Sequence, residues 1–162
     1  MERKELGALV LILVLAIALP SCAEGGKFSV PPSLGGLKLS HYLQGEQALR
    51  EIDRLHGKKI RVKEGYVAHY EANGNKAMLY VSEAYLEFLA ARQLESMADG
   101  IRKGNTPFFH LKESQREGMT LYSTIGLGQI HYFYRVGNKV VWLAADPTVA
   151  KQALVSVLQT LR

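Results

Sequence analysis

His69, Glu71 and His131 are the residues whose types and spacing could do chemistry in this chain. His69 and Glu71 stand two apart, so a strand would turn both to one face. His131 opens a second tyrosine-rich stretch, and His131-Tyr132 echoes His69-Tyr70. If the two stretches neighbour each other, two neutral imidazoles and a carboxylate converge. That set suits a divalent transition metal, and water bound to such a metal could serve hydrolysis. The competing reading is structural: each histidine packs beside tyrosines and hydrogen-bonds to backbone or water. None of His56, His69, His110 and His131 carries the paired spacing of a helical zinc motif. The metal set therefore stands as the alternative, and no cofactor is otherwise expected.

Other chemistry is sparse. Ser82 and Ser123 lack the G-x-S-x-G setting of an activated serine. Gly126-Leu127-Gly128 has neither a third glycine nor a following helix, so it reads as a turn rather than a phosphate cradle. No catalytic residue is assigned, and the balance leans away from an enzyme. The formal charge of +5 is too small and too scattered to argue for nucleic acid.

The elements that must position these side chains alternate between hairpins and helices. Residues 44–56 carry Ala48, Leu49, Ile52 and Leu55 at helical spacing, with Gly57 as a stop. Lys59, Arg61 and Lys63 alternate with Ile60 and Val62, which predicts a half-buried strand. With Lys58, this cluster could face anionic headgroups or simply protect a strand edge. Asn73-Gly74 is a favoured two-residue hairpin turn. It predicts Glu71 opposite Lys76, His69 opposite Met78 and Val67 opposite Tyr80, with Tyr70, Ala68 and Tyr66 on the other face. Ser82 is placed to cap a helix running to Gly104.

The second half follows the same plan. Strands are expected at 108–112, 119–125, 129–136 and 139–145, with Phe133 opposite Trp142 across Gly137-Asn138. Asp146-Pro147 then reads as a helix start, a capping carboxylate followed by proline. Tyr132, Phe133 and Tyr134 put bulk on both sheet faces, which fits either a doubly covered central strand or an open ligand platform. Hairpin-then-helix twice predicts an α+β domain over residues 37–162, an antiparallel β-sheet with helices packed on it. The two halves are candidates for an internal repeat.

The N-terminal stretch speaks to address. Arg3 and Lys4 precede an uncharged apolar run from Leu6 to Leu19, too short for a spanning helix of roughly 20 residues. It ends in Leu19-Pro20-Ser21-Cys22, which resembles the lipobox of bacterial lipoproteins. The resemblance covers the first 22 residues and implies that residues 1–21 are a signal peptide. It also implies that Cys22, the chain's single cysteine, carries the fatty acyl groups, palmitate among them. Residues 22–36, with Gly25-Gly26, Pro31-Pro32 and Gly35-Gly36, then read as a flexible tether. The expected product is an exported cell-envelope lipoprotein, held to the cell membrane or outer membrane by lipid at Cys22. Its domain is expected to bind a protein or small molecule on the sheet face, or to serve as a structural subunit of an envelope complex.

Overall fold

The Asn73-Gly74 turn sets the register of the molecule's centre. In the computed structural model, which describes residues 29–161, it joins β3 (Glu64–Ala72) to β4 (Asn75–Glu83). Glu71 pairs with Lys76, His69 with Met78 and Val67 with Tyr80, as the turn predicts. The second hairpin, β7 (Gln129–Val136) and β8 (Lys139–Ala145), sets Phe133 opposite Trp142. The two hairpins meet through β4 and β8, with Leu79 opposite Leu143.

Around this centre lie β1 (Ser33–Leu34) and β2 (Leu37–Gln44) on one side, β5 (Phe108–Arg116) and β6 (Met119–Gly126) on the other. The described residues form one eight-stranded antiparallel sheet, ordered β1-β2-β3-β4-β8-β7-β6-β5, and three helices, an α+β fold. β5 ends the sheet with the polar run Lys112 to Arg116, which discourages pairing with another chain.

Period-two alternation sorts the core into two layers. Tyr66, Ala68, Tyr70, Leu79, Val141 and Leu143 point to one face, where α3 (Ala150–Thr160) covers them with Ala153, Leu154 and Val157. The other face carries α1 (Gly45–His56), packed through Ala48 and Ile52 on Val67. Beside it lies α2 (Glu87–Arg102), packed over Phe133 and Trp142 through Ala90, Leu94 and Ala98. Because helices cover both faces, Phe133 and Tyr134 are both fully buried, and the consecutive aromatics form no open platform.

The halves share a hairpin plan, yet α2 and α3 settle on opposite faces of the sheet. No helix among the described residues is long and apolar enough to cross a membrane.

Several expectations are corrected. Residues 31–36, expected to belong to a flexible tether, are part of the domain: Leu34 is fully buried, Tyr70 donates to the Pro31 carbonyl at 3.0 Å, and Gly35 lies against the α3 backbone. A Cβ at Gly35 would come within 2.5 Å of the Ala153 nitrogen. β2 carries no clear alternation in the sequence because a bulge between Leu39 and His41 interrupts it.

The basic strand expected at residues 59–63 is an irregular segment, since β2 already occupies the neighbouring edge of β3. Ser82 is not a helix cap; it lies within β4 and accepts from Gln93 Nε2, while α2 begins at Glu87 after an uncapped Leu86. β5 runs through Arg116, past its expected end at residue 112.

Asp146 caps no α3 amide with its side chain. Its Oδ2 accepts from the Lys76 backbone N–H at 2.8 Å and its Oδ1 from Gln129 Nε2 at 3.0 Å. Only its backbone carbonyl serves the α3 turn, through Val149 and Ala150. The signal peptide, the lipobox and Cys22 lie outside the described residues.

Candidate functional site: a cationic groove between two helices

The sequence-derived metal set does not assemble. His69 and His131 occupy one row of one face, but Met78 of β4 and Ala144 of β8 stand between them in register. Three interstrand steps of about 4.8 Å each separate the imidazoles too widely for one ion.

His131 is also fully engaged. It is buried, its Nδ1 accepts from Trp142 Nε1 at 3.1 Å, and its Nε2 meets the Gly126 carbonyl at 2.9 Å. Burial lowers its pKa, partly offset by that backbone hydrogen bond.

His69 instead stacks on His41, ring centroids 4.2 Å apart, a neighbour supplied by the unread strand β2. Desolvation and then the adjacent imidazole lower its pKa, while Glu51 and Glu71 oppose them. Glu71 is exposed and lies 3.9 Å from Lys76 Nζ. Among the described residues no group of three or more histidine, cysteine, aspartate or glutamate side chains is placed to hold a metal.

What the fold builds is a groove between α1 and α2. Its volume is about 1010 Å³, at the upper end of the roughly 300–1,000 Å³ of ligand sites. The sheet supplies Trp142 and Phe108 to its floor, α1 supplies Leu55, and α2 supplies Leu89, Met97 and Ile101. Trp142 is packed in an aromatic row: its indole stacks on Phe133 at 4.9 Å and meets Phe108 edge-on at 5.1 Å. Tyr122 extends the stack across β6 and donates to Glu95 Oε1 on α2.

The segment joining α1 to β3 forms one wall, and its backbone is pinned. Gly57, in the left-handed region at φ 63°, turns the chain off α1. The Lys58 amide donates to the Asp53 carbonyl, the Ile60 amide to the Asp53 carboxylate at 2.8 Å, and the Lys63 amide to the Glu83 carbonyl at 2.7 Å. Val62 is buried beneath, so Lys58, Lys59 and Arg61 project outward. Arg92 and Lys103 answer from the α2 side.

These five cations are exposed and make no ion pair among the described residues. Of the groove's two acids, Asp99 is paired with Arg102 at 2.8 Å, while Glu95 accepts from the Tyr122 hydroxyl and keeps its negative charge, one against the five cations. The groove is thus apolar below and positive at its rim.

His56 borders it too. Its Nδ1 lies 2.7 Å from the Ile52 carbonyl, its Nε2 is buried with no hydrogen-bond partner among the described residues, and desolvation lowers its pKa. The sequence signalled the lysines and arginine of residues 58–63. It could not signal Arg92 and Lys103, which reach the same groove only because α2 lies beside α1.

No protein-family description, curated protein or solved structure matches this chain.

Proposed function

We propose that this protein is a cell-envelope lipoprotein, exported and held to the membrane by acyl groups on Cys22, whose domain works as a non-catalytic binding module. The observation that carries the binding role is the α1–α2 groove, with its apolar floor and unneutralised cationic rim. Exposed cations crowded around an apolar trough repel one another, and folding gains nothing from leaving them unpaired. A ligand that brings negative charge and apolar surface relieves both costs. The anchor rests on the lipobox-like Leu19-Pro20-Ser21-Cys22 and its basic, apolar leader.

Two measurements test the two parts. Radiolabelled palmitate should enter the wild-type chain and not Cys22→Ser; a wild-type protein that takes up no fatty acid ends the lipoprotein reading. For the groove, small molecules and lipids co-purifying with the full chain from membranes should be lost in Gly100→Leu. Gly100 borders the groove, and a Cβ there meets only Thr106 Cγ2 at 3.7 Å. An added isobutyl group therefore enters the trough, and leucine also favours the helix. Identical recovery from both proteins would move the binding site elsewhere.

A further inference from the structure

We infer that the groove's ligand is a single-chain anionic lipid, an acyl chain bearing a phosphate or carboxylate head; this deepens the binding-module reading and rests on it. The floor decides the chain. Leu55, Leu89, Met97, Ile101 and Phe108 offer no hydrogen-bonding side chain. Trp142 Nε1 already donates to His131. Gln93, Ser96 and Thr106 also line the groove, with Gln93 engaged by Ser82 and Thr106 by the Phe108 backbone. Over the remaining apolar surface a peptide's amides would need partners, whereas an acyl chain has none to satisfy. The rim decides the head. Lys58, Lys59 and Arg61 from one wall and Arg92 and Lys103 from the other surround the trough with positive charge, which exceeds the single negative charge left by Glu95 once Asp99 is paired with Arg102. Arginine and lysine at a half-wet rim suit phosphate or carboxylate oxygens. The chain lies on the floor, and the head sits among the cations.

Trp142 is the only tryptophan of the chain and borders the groove, so its emission reports occupancy. The test uses the full chain reconstituted in phosphatidylcholine vesicles, titrated with n-octyl phosphate, n-octanoate, n-octanol or inorganic phosphate. n-Octyl phosphate, n-octanoate or both should give a saturable change in Trp142 emission. n-Octanol should bind at least tenfold more weakly, and inorganic phosphate should give no response. Gly100→Leu should abolish the saturable change while unfolding at or above the wild-type temperature. Arg61→Glu combined with Arg92→Glu should weaken n-octyl phosphate at least fivefold and leave n-octanol unchanged.

Equal affinity for n-octanol and n-octyl phosphate overturns the inference, because charge then plays no part. A response to inorganic phosphate alone overturns it as well, as does an octyl phosphate response that survives both variants. Material recovered with wild type and lost in Gly100→Leu, combined with no binding of either n-octyl phosphate or n-octanoate, defeats this ligand class and leaves the groove itself standing.

Discussion

The indole Nε1–H of Trp142 donates to Nδ1 of His131 at 3.1 Å, and this contact assigns the imidazole's protons. With Nδ1 accepting, the hydrogen sits on Nε2, where it donates to the Gly126 carbonyl at 2.9 Å. The buried ring is therefore neutral. A second proton on Nδ1 would face the indole N–H and break the bond that fixes the groove floor.

Acid should destabilise the fold through this pair. Burial lowers the pKa of His131, and desolvation also lowers His56 and His69. In the unfolded chain each imidazole titrates near its ordinary value of about 6.5. Below that pH the unfolded state binds protons that the native state refuses, so stability falls as pH drops from about 6.5 toward the lowered native values. Above about 7.5 the histidines contribute no slope. Urea unfolding at pH 7.5, 6 and 5 should show this decline, and His131→Phe should reduce it. A flat profile across that range would mean that the three histidines protonate equally in both states.

Asp146 offers a sharper structural test. If its carboxylate were only a helix cap, Asp146→Ala would cost about 1 kcal/mol and act independently of Gln129. Its oxygens instead join β4, β7 and the end of β8. Losing hydrogen bonds to a charged acceptor should cost about 2–3 kcal/mol. A double-mutant cycle with Gln129→Ala should show coupling of about 0.5 kcal/mol or more. Strict additivity would return Asp146 to the capping role.

Legibility followed the range of the interaction. Both central hairpins, including the partners of Glu71, His69 and Phe133, could be read because a two-residue turn and alternation fix register locally. Ser82 and Asp146 each have the chemistry of a cap but engage a partner distant in sequence, Gln93 for Ser82 and Lys76 for Asp146, which no local pattern announces. β2 was hidden by its bulge, and with it the stack of His41 on His69. The groove was least legible of all. Its two walls are separated in sequence by a whole hairpin and come together only where α1 and α2 share one sheet face.

Zinc should leave the melting temperature unchanged at pH 7.5. A metal bound only by the native state must stabilise it, and that needs His69 and His131 at one ion with two strands lying between them. Thermal unfolding with and without equimolar zinc measures this directly. A zinc-dependent rise that vanished in His69→Ala with His131→Phe would restore a metal role. A rise sensitive to His41→Ala and His69→Ala instead would point to the stacked pair.

Trp142 is buried, in contact with Phe133 and Phe108, so Trp142→Ala should cost about 3–5 kcal/mol. The same burial predicts a blue-shifted emission maximum in the free protein. An unchanged denaturation midpoint in the variant would contradict the packing of the whole aromatic row.

Leu127 should be replaceable at a gain. It occupies the first position of the β6–β7 turn at φ 53°, followed by Gly128 at φ 79°, and its side chain is 73% exposed. Two successive left-handed residues are what a type I′ hairpin requires, and asparagine before glycine meets that demand far better than leucine. A branched side chain in this region costs roughly 1–2 kcal/mol, and little buried area offsets it here. Leu127→Asn should therefore raise stability by about 1 kcal/mol without disturbing the sheet. Chemical denaturation of the single variant decides the matter. A loss of stability would show that Leu127 contributes apolar contact that outweighs the strain of its backbone.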